Sequence, residues 1–181
     1  MGLPSRAAFK IEEIIARNRL VGTGARIVDL GCAPGGWLAI LAVASGASGR
    51  VVGVDLAQVK NPPAGAIAIV GDILDPAVAA RVQRELGGRA DLVTSDLAPK
   101  LTGVAARDEA RSRELVDCAL GFATTMLKPG AAMVAKLFMG AQFKDIVDSF
   151  KRHFERVEVT RTKASRPGSS ELYVVARGFR G

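Results

Sequence analysis

Histidine is nearly missing from this 181-residue chain, which carries one, and cysteine is almost as scarce, with two. A single histidine excludes His-rich zinc centres and makes histidine acid–base chemistry a poor fit. Cys32 and Cys118 have no metal-ligand or redox spacing. No metal is therefore expected, and a reducing, cytoplasmic setting is. No apolar run approaches the roughly 20 residues that span a bilayer, so no membrane association is expected. The basic opening, residues 1–10, lacks the apolar core of a secretory signal. Aromatic residues make up only 5%, and no aromatic nucleic-acid-reading motif is present. There is neither an internal repeat nor a low-complexity linker.

What is present is a 49% apolar fraction, too high for a disordered chain. The length suits one domain, 1–181, with a sizeable core. Lys and Arg number 25 against 18 Asp and Glu, a net charge of +7 that favours a polyanionic partner. A monomer is expected.

Apolar, β-branched runs at 26–30, 50–55, 66–70, 90–95 and 131–137 predict buried strands. Between them lie helical patterns. The clearest places Leu115, Ala119, Phe122 and Met126 on one stripe and stops at Lys128-Pro129-Gly130. Another carries Phe143, Ile146, Val147, Phe150 and Phe154. A first helix has Ser5 as its N-cap and Ile11, Ile14 and Ile15 facing inward. This alternation predicts an α/β, Rossmann-like fold with helices on both faces of a seven-stranded, mostly parallel sheet. No helix fits between the last two runs, 156–161 and 171–177, so they should pair as an antiparallel hairpin. One reversed strand at the end of such a sheet is typical of class I methyltransferases; the plain dinucleotide-binding fold lacks it.

The first strand runs into Gly31-Cys32-Ala33-Pro34-Gly35-Gly36-Trp37. Glycines at a strand-to-helix turn let a ligand approach the backbone. The spacing G-x-x-x-G-G differs from the G-x-G-x-x-G that sets a pyrophosphate on a helix N-terminus. S-adenosylmethionine, which has no phosphate, suits the looser turn. Asp55 ends the second strand 20 residues after Gly35, where it can accept from both ribose hydroxyls of an adenosine. Asp72 ends the third strand and can accept from an adenine amino group. Asp96 ends the fourth, where a carboxylate suits a sulfonium and an amino group.

These residues closely resemble the FtsJ/RrmJ family of RNA 2′-O-methyltransferases. The likeness covers nearly the whole chain. It rests on 5–10 (Ser-Arg-Ala-Ala-Phe-Lys), the turn from Asp29 to Trp37, Asp55-Leu56, Gly71-Asp72, 95–99 (Ser-Asp-Leu-Ala-Pro), 136–140 (Lys-Leu-Phe-Met-Gly), and Lys163, Ser165-Arg166 and Ser169-Ser170-Glu171. The resemblance implies a catalytic tetrad of Lys10, Asp96, Lys136 and Glu171. It implies S-adenosylmethionine bound by Gly35, Trp37, Asp55, Asp72 and Asp96. It also implies methylation of a uridine in large-subunit ribosomal RNA, within the assembled particle. The pattern departs from the family at Ala8, Lys100 and Met139, none of them in the tetrad.

The chemistry agrees with these residues. Displacement at a sulfonium needs the 2′-oxygen held about 3 Å from the methyl carbon and its proton removed. Lys136, a charge embedded in the apolar run 132–138, must have partners. It either takes the proton as a neutral amine or, as a cation, orients the oxygen and stabilises its charge. Arg6, Lys10, Lys100, Arg161, Lys163, Arg166 and Arg177 are expected to form a basic rim that touches phosphates. Three other readings are an NAD-dependent oxidoreductase, a methyltransferase acting on tRNA, and a non-catalytic RNA-binding module on the same scaffold. The turn spacing disfavours the first, and the intact tetrad disfavours the last.

Overall fold

The computed structural model describes residues 6–100, 102–165 and 169–181, the side chain of Arg6 excepted. In chain order the elements are α1 (Arg6–Asn18), β1 (Arg26–Leu30), α2 (Gly36–Ser45), β2 (Arg50–Asp55), β3 (Ala66–Val70), α3 (Pro76–Leu86), β4 (Ala90–Ser95), α4 (Ala105–Met126), β5 (Leu127–Phe138), α5 (Phe143–His153), β6 (Phe154–Thr160) and β7 (Glu171–Phe179). The expected N-cap, Ser5, lies outside the described residues.

The strands form one sheet in the order β3-β2-β1-β4-β5-β7-β6. All pairings from β3 to β5 are parallel; β7 alone runs the other way, antiparallel to both β5 and β6. The expected hairpin is present. Its second strand turns back into the sheet, so the reversed strand sits one place in from the edge. β6 is left outermost, and its Glu155, Arg156, Glu158 and Val159 face solvent.

Central strands of Val, Ile and Leu are buried on both faces because helices cover both. α3, α4 and α5 enclose one core, with Val28, Leu30, Val93, Met133 and Leu137 from the sheet. α1 and α2 enclose the other, with Ile27, Val51, Leu92, Val134 and Tyr173. Ile11, Ile14 and Ile15 of α1 are all buried, as their helical spacing predicts. α3 shows its limits in its sequence: the Asp75 carboxylate accepts from Ala77 N at 2.8 Å, Pro76 opens the helix, and Gly87 closes it in the left-handed region.

Two boundaries differ from the sequence pattern. The helix ahead of Lys128-Pro129-Gly130 ends at Met126, as that signal predicts, but β5, expected from 131, begins at Leu127 and runs through the three residues. Proline forces the residue before it into extended backbone. Gly130, at φ 79°, then absorbs the slip in β4–β5 register between Ala90 and Leu92. Phe154, which matches the α5 stripe, opens β6 instead. Its ring lies 6.3 Å from that of Phe150 and 5.5 Å from that of Phe179, so packing between elements sets its conformation.

Close packing of α2 on the sheet depends on Gly53. A methyl group there would lie 2.8 Å from Cys32 Cβ and 2.9 Å from Leu38 Cδ1. Gly53→Ala should destabilise the fold by about 1–3 kcal/mol through overpacking. A lower urea midpoint at unchanged m is the expected reading; an unchanged midpoint would show that the turn after β1 can shift freely.

Candidate active site

The carboxyl ends of β1, β2, β4 and β5 meet in one region, where open α/β sheets bind ligands. The turn after β1 is built for close approach. Gly31 has φ 76°, and a Cβ there would come within 3.0 Å of Leu97. Gly35, at φ 114°, is the N-cap of α2. The turn is tied down by Gly31 N and Cys32 N, both donating to Val54 O, and by Ala33 N donating to Asp55 Oδ2 at 2.9 Å. The other oxygen of Asp55 accepts from Ala57 N at 2.8 Å. Asp55 is thus fixed by both oxygens, and each keeps a further lone pair. Its neighbour across the β2–β3 ends, Asp72, is exposed and accepts from Leu74 N at 2.9 Å.

Between Asp55 and Asp72 opens a cavity of about 180 Å³, walled by Leu56, Ile73, Leu74, Leu97, Leu115 and Cys118. A mostly apolar cavity lined also by two carboxylates, beside a left-handed glycine turn, suits an adenosine. Trp37 is placed differently. Its ring is buried against Tyr173, 6.0 Å between centroids, and its indole N–H donates to Ala7 O at 2.7 Å. What Trp37 offers a ligand is its backbone N–H in the first turn of α2, where no intrahelical acceptor exists.

The four tetrad residues come together as two ion pairs. Lys136 Nζ donates to Asp96 Oδ1 and to Asp96 O, both at 2.8 Å. Lys10 Nζ donates to Glu171 Oε1 at 2.6 Å. The pairs are neighbours because Lys136 stands opposite Tyr173 in the β5–β7 ladder and Phe138 opposite Glu171. Tyr173 Oη also donates to Glu171 Oε1, at 2.9 Å. Burial pushes the Glu171 carboxyl up, but bonds from Lys10 and Tyr173 and the charges of Lys10 and Lys136 outweigh it, leaving the group below its usual range. Burial, with Asp96 and Glu171 nearby, pushes the Tyr173 phenol far up, so it remains a donor. Tyr173 lies inside the predicted strand 171–177, and the place of its hydroxyl follows only from the ladder register.

Asp29, beneath the turn, is fully buried. Oδ1 accepts from Thr94 Oγ1 at 2.7 Å, and Oδ2 has no partner. Burial, aided by Asp96 and Asp55, raises its pKa to about 8, against the pull of the Thr94 bond. The floor of the site is therefore mostly neutral at pH 7. Among the described residues no group of three or more His, Cys, Asp or Glu could hold a metal ion.

The expected basic rim is only partly assembled. Lys100, Arg161 and Lys163 are exposed at the tetrad end of the sheet, and Arg161 Nη1 donates to Ser169 O at 2.6 Å. Arg177 does not belong to it. It stands opposite Ala132, toward the amino ends of the parallel strands, and pairs with Glu158 at 2.7 Å. Because β7 is reversed, its Glu171 end reaches the tetrad and its Arg177 end points away. Arg166 and the side chain of Arg6 lie outside the described residues.

Residues 3–179 match the family model of FtsJ-like methyltransferases. A Ribosomal RNA large subunit methyltransferase E of Methanoculleus marisnigri is 45% identical over 99% of this chain and 87% of its own length. The protein of that name from Gluconobacter oxydans is 50% identical over 99% of this chain and 66% of its own. Among solved structures, a protein from Plasmodium falciparum described as a ribosomal RNA methyltransferase superposes with a TM-score of 0.87. Its identity is 24%, with 99% of this chain and 100% of that one covered, a likeness of fold.

Asp29 gives a pH signature. Its carboxyl titrates near 3.8 when unperturbed and near 8 in the fold. Between those values the folded protein holds a proton that the unfolded chain has released, so stability falls as pH rises. Asp29→Asn cannot ionise and lacks this decline. Its stability relative to the parent should improve steadily from about pH 4 to about pH 8 in urea unfolding at fixed ionic strength. A pH-independent difference would mean that Asp29 is charged in the fold.

Proposed function

Because the chain belongs to the FtsJ-like methyltransferase family, we propose that it transfers a methyl group from S-adenosylmethionine to a ribose 2′-hydroxyl of RNA. The substrate in this reading is a uridine of large-subunit ribosomal RNA in the assembled subunit, met by a monomer in the cytoplasm. The names of the relatives support the RNA. The observation that carries the chemistry is Lys136, 9% exposed, with its ammonium held on Asp96 at the edge of the cofactor cradle.

When bound, S-adenosylmethionine supplies an electrophilic methyl group on a sulfonium. Gly35 and the first-turn N–H of Trp37 would receive its amino-acid end, Asp55 its ribose hydroxyls, Asp72 its adenine amino group, and Asp96 its positive charge. Asp96 has a second task. Its carboxylate and its carbonyl oxygen take two of the hydrogens on Lys136 Nζ. As an ammonium, Lys136 keeps one donor for the attacking 2′-oxygen; as an amine, it keeps one lone pair for its proton. Either state leaves one position aimed at the substrate, so Asp96 fixes direction while Lys136 meets the nucleophile. Lys10, held on Glu171, adds a cation beside that oxygen and lowers the energy of the charge developing there.

Two substitutions separate these roles. Asp55→Ala should weaken S-adenosylmethionine binding about ten- to hundredfold in calorimetry, the range for losing hydrogen bonds to a charged group. Tight NAD binding by the parent protein would overturn the cofactor assignment. Lys136→Ala should keep cofactor affinity and lower the single-turnover methylation rate by roughly 100-fold or more. A near-parental rate would reduce Lys136 to a structural lysine.

A further inference from the structure

Beside the tetrad, on the α4–α5 side of the sheet, lies a cavity of about 410 Å³ that methyl transfer as described leaves unused. Its apolar surface includes Phe138 at the end of β5 and Phe143 and Ile146 of α5; its polar groups are Asp108, Glu109 and Ser112 of α4 and Ser170, and both Asp108 oxygens are already taken by Thr102 and Gly103. No tetrad residue lines the cavity, but the end of β5 and the start of β7 border both it and the tetrad. Lys136 Nζ lies 5.9 Å from the centroid of the Phe138 ring, Phe138 faces Glu171 across the ladder, and Ser170 immediately precedes Glu171. Glu109 is held in the wall, its Oε1 accepting from Gln142 N at 2.9 Å.

Resting on the reading of the tetrad as a ribose-methylating centre, we propose that this cavity receives the base of the methylated nucleotide, an extruded uracil whose N3–H donates to Glu109. A ribose with its 2′-oxygen at Lys136 carries its base on the adjacent ring carbon, so the base must lie directly beside the tetrad. The flank toward Asp55 and Asp72 belongs to the cofactor, and the sheet closes the floor. The flank past Phe138 is open. Aromatic rings there can stack on a base taken out of its helix, and enzymes that act on an extruded nucleotide read it by stacking and by hydrogen bonds to its pairing edge. A carboxylate in the wall accepts but does not donate, so it favours the N3–H of uracil over the bare N3 acceptor of cytosine.

The test uses large-subunit particles reconstituted around RNA with a synthetic segment at the mapped methylation site. That nucleotide is a normal uridine, an N3-methyluridine, or an abasic ribose that keeps its 2′-hydroxyl. With the parent protein, both altered nucleotides should lower single-turnover kcat/KM about ten- to hundredfold, the range for losing one stacked base. Glu109→Gln and Ser112→Phe should each slow methylation of the uridine particle, and neither loss should add fully to that of the abasic ribose. Calorimetry with S-adenosylmethionine reports their folding. Equal rates on uridine and abasic particles overturn the proposal, and that comparison needs no variant. A loss seen only when the neighbouring nucleotide is abasic also overturns it, assigning the cavity to a flanking base. No ribose methylation of the uridine particle would overturn the functional reading itself, a result distinct from equal methylation of all three.

Discussion

A lysine buried at the end of a β-strand must be matched by an acceptor, and the pairing of Lys136 with Asp96 is the constraint around which this structure is arranged. β4 and β5 run parallel with Ser95 opposite Ala135, which brings the carboxylate of Asp96 to the ammonium of Lys136. The reversed β7 then places Tyr173 opposite Lys136 and Glu171 two residues further along. α1, packed on the same face by Ile11, Ile14 and Ile15, delivers Lys10 to Glu171. The indole of Trp37 clamps that helix to the glycine turn after β1 through Ala7. Loss of the Asp96 carboxylate would leave the buried Lys136 charge unmatched.

The electrostatics of the site follow from how many carboxyl groups share it. Asp29, Asp55 and Asp96 cluster beneath and beside the turn, and three like charges so close would repel. The fold relieves this by burying Asp29 completely, which keeps it protonated up to about pH 8. Asp55 is anchored by two backbone N–H groups and Asp96 by Lys136. The same acidity pushes the Cys32 thiol up to about 12, with burial the larger cause, so this cysteine is an inert wall of the site.

The carboxylates of the site were legible in the sequence because Asp55, Asp72 and Asp96 stand at or just beyond the ends of strands with a strong pattern. Asp55 and Asp96 follow apolar runs that can only be buried strands. Lys136 interrupts an apolar run, a breach that demands a reason. Trp37 was less legible: a lone tryptophan after a glycine turn suits stacking on a ligand as well as packing, and only the position of α1 directs its N–H to Ala7. Arg177 was misplaced because a sequence gives the strand's composition, not which end of it faces the ligand.

The sequence by itself determined the kinds and order of elements: the run of Val, Ile and Leu through the strands, the glycine turn after the first, and the carboxylates that close the second, third and fourth. These are local facts, set by burial period and backbone freedom. Only the tertiary structure decided that the reversed last strand lies between the fifth and the sixth, that Phe154 leaves its helix to join a strand, and that Lys10 and Glu171, 161 positions apart, form one ion pair. Those outcomes depend on contacts between residues distant in the chain, whose free energies arise only when both sides are in place.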